Sequence, residues 1–335
     1  MTDTADEFTA AAEPLRAALR LHCYRMLGSS HDSDDMVQET MLRAWRARAS
    51  LDDPARLRPW LYRIATNACL DELSRRSRRG LASEVGPPAP GSAYPPAAPI
   101  DDAAWLEPMP DAWLADCADD PEARYTLRES VALAFVAALQ VLLPAQRATL
   151  LLRDVVGLSA EEAAEALEQS VSAANSALHR ARAAIEHKVA RRDPAAFAGA
   201  AVDEPVLARY MRALAAHDIH EMIALVHDDM HTTMPPSPTW ISGRADNIAF
   251  YRRMFAGWAR AGSNEGIHEP IRAVPLGVNG GAGFAFERGG VVRAIEAVEV
   301  RDGRILRMHH FMQPRVIALF AASAPPAPLV RPPAG

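Results

Sequence analysis

Between residues 81 and 121 the chain carries no lysine or arginine, eight acidic residues and nine prolines, and this stretch constrains the fold more than any other. Proline fixes φ and removes a backbone donor, and like charges repel, so a packed helix or strand is disfavoured and an extended linker is expected. Formal charge divides at the same points: +1 over residues 1–80, −8 over 81–121, +1 over 122–192 and 0 over 193–335. The net charge of −6 therefore belongs to the linker. The flanks are near neutral with basic clusters such as Arg75, Arg76, Arg78 and Arg79, so contact with nucleic acid is not excluded. Within the linker Trp105, Leu106 and Trp113 stand out, because a pure spacer has little use for large apolar side chains.

With 335 residues, 49% of them hydrophobic, the chain can build two or three cored domains. The longest nearly apolar run, Val131 to Ala145, contains Gln140 and is too short to cross a bilayer. Met1 to Phe8 is acidic and polar where an export signal would be basic and then apolar. Neither membrane spanning nor export is expected. Cys23, Cys69 and Cys117 form no CxxC and have no histidine at zinc-ligand spacing, so no disulfide framework, metal or cofactor is expected and a reducing cytoplasm fits.

Residues 8–80 read as helices, with apolar residues at helical spacing at Leu15, Leu19, Cys23 and Leu27, at Val37, Met41 and Ala44, and at Leu61, Ile64, Ala65 and Ala68. Gly28-Ser29-Ser30 ends the first run, and Pro59 suits the first turn of a later helix. After the linker, a helical pattern runs from Leu127 through Ala138, and Pro144 opens a helix to about Val155 that Gly157 ends. Ser159 with Glu162 is a capping box opening a helix to Leu167; after Glu168-Gln169-Ser170 another helix runs from Val171 past Arg182. Beyond a break at Arg191 to Pro194, helices are expected from Pro205 and through Leu225. Strands follow at Gly283–Arg288, Val291–Arg301 and Arg304–Met312, with Arg288-Gly289-Gly290 and Arg301-Asp302-Gly303-Arg304 as turns.

Three segments carry chemistry. The pair of helices over Ser159–Arg182 is the geometry that delivers a row of side chains into a DNA major groove. On its second helix Ala174, Ala177, Leu178 and Ala181 are expected inward, leaving Ser172, Asn175 and Ser176 for bases and His179, Arg180 and Arg182 for phosphates. On Asp34–Trp45, the residues Asp35, Gln38, Glu39 and Leu42 share one face, acidic and polar beside one leucine. On Arg58–Asp71, aromatic and basic residues interleave as they do where unpaired bases are stacked and phosphates neutralised.

Taken in this order and spacing, the three segments resemble an extracytoplasmic-function sigma factor of the sigma-70 family. Residues 34–45 look like the family's region 2.2, residues 59–71 like regions 2.3 and 2.4, and residues 143–182 like region 4. Trp105–Asp111 and the C-terminal part resemble the subgroup with a SnoaL-like extension. The resemblance implies two all-α helical domains, the second with a helix-turn-helix, plus a C-terminal α+β cone-shaped SnoaL-like domain. The parts are residues 8–80, the linker 81–121, residues 122–192 and residues 203–320.

By the resemblance, Asp34, Asp35, Gln38 and Glu39 would face the β′ clamp helices of core RNA polymerase, with the β flap as a further contact. Arg58, Trp60, Arg63, Asn67, Arg75 and Arg76 would melt and hold the −10 element, with Arg48–Arg56 forming a pocket for a flipped base. Ser172, Asn175, Ser176, His179, Arg180 and Arg182 would engage −35 promoter DNA; Asn175 stands where the family often has a basic residue, which leaves the −35 sequence undecided. The acidic linker would pass through a positively charged channel near the polymerase active centre, the plainer alternative being a solvated tether. An anti-sigma protein or a small ligand would be a further partner; a membrane would not.

In the extension, His231, Met234, Trp240, Phe250, Phe255, Trp258 and Phe286 are candidate lining for a ligand pocket. Among His217, Asp218, Asp229, His231, His309 and His310 no spacing brings a histidine to a carboxylate, so catalysis is not expected and regulation is. Two rivals remain: a ligand-responsive helix-turn-helix regulator that never joins polymerase, and an enzyme with a nucleic-acid-binding leader. The first leaves the acidic and aromatic-basic helices without a role; the second predicts turnover by residues 193–335 alone.

Overall fold

The computed structural model describes residues 4–75, 79–82, 86–100, 105–115, 117, 121–191, 204–261 and 270–323. The N-terminal unit holds α1 (Thr4–Ala12), α2 (Arg16–Leu27), α3 (Ser30–Ala47) and α4 (Leu57–Leu73). Gly28 ends α2 in the left-handed region at φ +66°, and a Cβ there would meet Leu106 at 2.7 Å, so both turn and packing require glycine. Ser29 then caps α3 by accepting from the Asp32 N–H. His22 is buried against Thr66 at 2.9 Å, and burial pushes its imidazole down to about 3.

After the short helix α5 (Ala112–Ala115), the second helical unit holds α6 (Pro121–Val131), α7 (Leu133–Leu139), α8 (Pro144–Leu150, continued by a π-turn over Leu151–Val155), α9 (Ala160–Ala166) and α10 (Val171–Arg191). The capping box forms as its sequence predicts, Ser159 accepting from the Glu162 N–H while Glu162 accepts from the Ser159 N–H. Gly157 turns the chain at φ +79° before it. The two helical units share one core: Leu19, Cys23, Met26 and Leu61 pack with Leu139, Leu142, Leu151 and Leu152. Arg147, buried at the seam, donates to the carbonyls of Met26, Gln140 and Leu142.

The C-terminal unit begins with α11 (Glu204–Ala215) and α12 (Ile219–Ala224). Its strands are β1 (Val226–Thr233), β2 (Trp240–Ser242), β3 (Ile271–Val278), β4 (Gly281–Arg288), β5 (Val291–Arg301) and β6 (Arg304–Phe311), with α13 (Arg244–Ala261) between β2 and β3 and α14 (Pro314–Ser323) last. They form one sheet in the order β2-β1-β6-β5-β4-β3, antiparallel except for the β1–β6 pair. One face packs on α11 and α13 through Tyr210, Phe250, Tyr251 and Phe284; the other packs on α14 through Ile295, Phe311, Val316 and Phe320. Alternation along β4 and β5 makes this possible, since successive side chains point to opposite faces.

The linker is not the solvated strand that its charge and prolines predict. Residues 105–110 are buried, Trp105 and Met109 completely, and α5 interrupts the extended run. Leu106, Met109, Trp113 and Leu114 form a core layer with Leu21 and Tyr24 of α2, and with Val131 and Val136. Glu107 sits in this layer with no exposure and accepts from Ser29 Oγ (2.7 Å), Ser30 Oγ (3.2 Å) and the His31 N–H (3.3 Å), while Arg315 of α14 lies 2.5 Å from its other oxygen. Burial would raise its pKa, but the bonds from His31 and Ser29 and the charges of Arg315 and Arg79 hold the carboxyl down at about 2. Arg79, expected in the basic cluster, is likewise buried, donating to the Trp105 carbonyl and pairing with Asp32 at 2.7 Å.

The same segment fastens the C-terminal unit. Asn279 donates to Tyr24 Oη and to the Val131 carbonyl, each at 2.7 Å, and accepts from the Met109 N–H. Asp111 accepts from the Gly280 N–H at 2.6 Å, and Gly277 lies so close that a Cβ would stand 2.5 Å from its carboxylate. Burial raises the Asp111 carboxyl to about 6 against the opposing pull of the Gly280 N–H and Arg128. A folded-state pKa above the unfolded value means the folded protein holds the proton more tightly. The contribution of Asp111 is therefore full below the ordinary aspartate value of 3.8 and lost as pH rises through about 6. Asp111→Asn, whose amide oxygen can still accept from Gly280, should be more stable than the parent at pH 7.5 by about 1–2 kcal/mol and equal to it near pH 4. Thermal unfolding of both proteins across that range reads the difference.

Candidate nucleic-acid and polymerase interfaces

On α3, Val37 and Ala44 are buried, while Asp35 and Gln38 are exposed and Leu42 is 43% exposed. Glu39 flanks this face and pairs with Arg43 at 2.7 Å, and Arg43 reaches Asp71 of α4 at 3.0 Å. Asp34 lies at the upper edge, half-buried, with burial raising its carboxyl and Arg20 at 3.8 Å opposing. An exposed leucine amid acids is a surface able to dock on basic helices, and it stays open to solvent.

The α4 residues are brought together, but against α9. Arg58 donates to the Val156 carbonyl at 2.6 Å, and Arg63 reaches Glu168 at 3.3 Å and Glu165 at 4.0 Å. Arg56, the last residue of the loop expected to hold a flipped base, binds Glu165 at 2.5 Å. Trp60 packs edge-on against Phe8 with ring centroids 6.2 Å apart. It lines a cavity of about 410 Å³ with Leu51, Asp53 and Arg56 on one side and Glu162 and Glu165 on the other. Asn67 is half-buried and Arg75 exposed; Arg76 lies outside the described residues.

Along α10, Ala174, Ala177, Leu178 and Ala181 face inward and Ser172, Asn175, Ser176, His179 and Arg180 form one open, shallow surface with Val171. Arg182, 55% exposed on the same helix, pairs with Asp154 through two bonds of 2.6 and 2.9 Å.

In the C-terminal unit Met234, Phe250, Trp258 and Phe286 line a cavity of about 520 Å³. Phe255 stands behind the wall, packed on Trp258 at 5.2 Å. His231 and Trp240 are elsewhere, stacked on one another at 5.8 Å on the β1–β2 edge, because Trp240 Nε1 donates outward to the Gly86 carbonyl of the linker. Sequence reasoning missed Glu296, which is buried in the cavity wall 2.6 Å from His310. Of the other acid-base candidates, His217 packs on Phe255, Asp218 caps α12, His231 meets the Asp229 carbonyl and His309 meets Thr233.

A model of sigma-70 region 2 matches residues 12–79, one of sigma-70 region 4 matches residues 132–185, and one of a SnoaL-like domain matches residues 207–308. The RNA polymerase sigma-H factor of Pseudomonas aeruginosa is 30% identical over 162 residues, which are 48% of this chain and 75% of that one. The chain belongs to the sigma-70 family. Among its relatives is the extracytoplasmic-function (ECF) sigma factor SigG of Mycobacterium tuberculosis, 45% identical over 243 residues; the match covers 71% of this chain and 64% of SigG. The crystal structure of the M. tuberculosis extracytoplasmic-function sigma factor SigJ superposes with a TM-score of 0.55 at 25% identity, over 90% of this chain and 96% of that one.

In sigma-factor terms, region 4 lies on region 2. Glu162 and Glu165 of α9 line the cavity opposite Trp60, Arg56 and Arg63, and three arginines of region 2 are held by region 4: Arg56 by Glu165, Arg63 by Glu168 and Arg58 by the Val156 carbonyl. Among the described residues nothing covers the polar face of α10 or the acidic face of α3. Among the described residues no helix is long and apolar enough to cross a membrane.

Proposed function

We propose that this protein directs core RNA polymerase to specific promoters and initiates transcription, with the C-terminal domain regulating that activity. The observation that carries the reading is the combination of an open acidic face on α3 and an open polar face on α10, held on region 2 and region 4 domains. The units at 8–80, 81–121, 122–192 and 203–320 divide the work. Asp34, Asp35, Gln38 and Glu39 engage the β′ clamp helices, Trp60, Arg63 and Asn67 with Arg58, Arg75 and Arg76 capture −10 single strand, and Ser172, Asn175, Ser176, His179 and Arg180 engage −35 duplex. A free regulator that bypasses polymerase leaves α3 and α4 unexplained. The C-terminal domain acts as a brace and not as a catalyst, fastened through Asn279 and Arg315 to the linker and region 2.

The arrangement is a closed state, since −10 and −35 DNA cannot be held while α9 covers α4. Holoenzyme carrying Trp60→Ala should bind its promoter yet fail to make single-stranded thymines in the −10 region reactive to permanganate, a loss of about tenfold or more given 1–3 kcal/mol per stacked base. Equal reactivity in the two holoenzymes would contradict the role of α4. Conversely, Glu165→Arg with Glu168→Arg places like charges against Arg56 and Arg63 and should loosen the closure. Expected results are a larger radius of gyration by small-angle scattering and severalfold more transcription at limiting polymerase; an unchanged radius would show that the ion pairs do not hold it shut.

A further inference from the structure

The 520 Å³ cavity of the C-terminal domain has the linker as part of its wall. Its floor is one face of the sheet. Phe284, Phe286 and Arg288 alternate along β4, and Glu296 stands in register between Phe284 and His310 on neighbouring strands. The wall is apolar apart from two polar ends.

At the inner end Glu296, 3% exposed, has its Oε2 2.6 Å from His310 Nδ1 out of hydrogen-bonding alignment, so that Glu296 Oε2 and His310 Nε2 are both buried with no hydrogen-bond partner. A buried polar atom left without a partner keeps its full desolvation cost, which a ligand's polar group relieves. A ligand hydroxyl, which both donates and accepts, would satisfy the imidazole nitrogen or the carboxylate oxygen. At the other end Arg288 and Arg293 line the cavity near the β4–β5 turn. Phe284 to Arg288 is four residues of strand, so the two ends lie about 13 Å apart.

The third element is the linker. Tyr94 and Pro96 line the cavity, Tyr94 meeting Phe250 edge-on at 5.6 Å, and Gly257 gives the ring room. On both sides of Tyr94 the linker is tied to the domain: Ala89 N–H to the Trp240 carbonyl, Gly91 N–H to Asp246, Ala97 N–H to Thr239 and Ile100 N–H to the Pro236 carbonyl.

We infer that the cavity binds an elongated apolar hydroxy acid, carboxylate on Arg288 and Arg293 and hydroxyl on His310, and that binding clamps the linker onto the C-terminal domain. A ligand touching Tyr94 and Pro96 binds the docked state more tightly than the undocked one, and by that difference alone it shifts the equilibrium toward docking. Withholding the linker from polymerase is the consequence for transcription. That consequence rests on the sigma-factor reading; binding and clamping do not, and are measured on the protein alone.

The probes are 12-hydroxydodecanoate, dodecanoate and 1-dodecanol, titrated into the full chain while Trp258 fluorescence is followed. The hydroxy acid should bind about tenfold more tightly than either comparator, one buried hydrogen bond or ion pair being lost in each. His310→Phe should erase its advantage over dodecanoate, and Arg288→Gln with Arg293→Gln its advantage over the alcohol. Hydrogen exchange at Ala89, Gly91, Ala97 and Ile100 should slow about 100-fold at a probe concentration of 100 times Kd, and Tyr94→Ala should abolish the slowing. Equal affinity for the three probes, absence of saturable binding, or binding that leaves those four amides unchanged overturns the inference.

Discussion

Asp35→Arg combined with Glu39→Arg is expected to lower promoter-dependent transcription at least about 100-fold, the size of effect that a few kcal/mol of like-charge repulsion at an interface produces. Asp35 is solvent-exposed and Glu39 makes only a surface pair with Arg43, so the fold should lose no more than about 1 kcal/mol. Val37 and Ala44, which hold α3 in the core, are untouched. The discriminating readout is co-elution with core polymerase alongside an unchanged thermal midpoint. A variant that stays folded, still binds polymerase and still transcribes would remove α3 from the account.

Glu107→Ala should have the largest effect on stability, about 3–5 kcal/mol, the loss expected when one member of a buried charged network is removed and the others remain. Five residues converge on this carboxylate: Ser29, Ser30 and His31 at the start of α3, Arg79 at the end of region 2, and Arg315 of α14. Without it the buried Arg79 keeps only the Asp32 carboxylate, and Arg315 loses the carboxylate that lies 2.5 Å from it. Because its folded pKa of about 2 lies below the ordinary glutamate value of 4.5, the stability it provides is present above 4.5 and is lost as pH falls through about 2. Glu107→Gln, which keeps an acceptor but not the charge, should fall between the two. Denaturant unfolding at pH 7 measures all three; a loss under 1 kcal/mol for the alanine variant would mean that the linker is not anchored there.

The contrast between Glu107 and α9 shows what the sequence could and could not reveal. Ser159 and Glu162 satisfy each other three residues apart, and Gly157 permits the turn before them, so that helix was legible locally. Glu107 and Asp111 sit among prolines and other acids, where average charge points to solvent; their partners lie far along the chain, Gly28 to His31 on one side and Gly280 and Arg315 on the other. Trp105, Leu106 and Trp113 were the signal that contradicted the charge, and burial followed them. Arg79 was misplaced for the same reason, since its partner Asp32 is invisible to helical spacing.

The Glu296–His310 pair was missed by one residue. The turn at Arg301–Arg304 sets Arg301 opposite Arg304 and Val300 opposite Ile305, and unbroken pairing from there would put Glu296 opposite His309. A bulge between Glu299 and Val300 shifts the register by one, so Glu296 meets His310 instead. Because side chains alternate with period two, that single residue decides which histidine faces the cavity. His231 and Trp240 show the converse error: aromatic character alone put them in a pocket, whereas the linker draws Trp240 to the outer edge.

The central claim is most directly tested by run-off transcription on fragmented genomic DNA with purified core polymerase, with and without the intact protein. The account predicts a set of start sites present only when the protein is added, each preceded by a shared pair of −35 and −10 sequences. No protein-dependent starts, together with specific binding of duplex DNA by the protein alone, would contradict it.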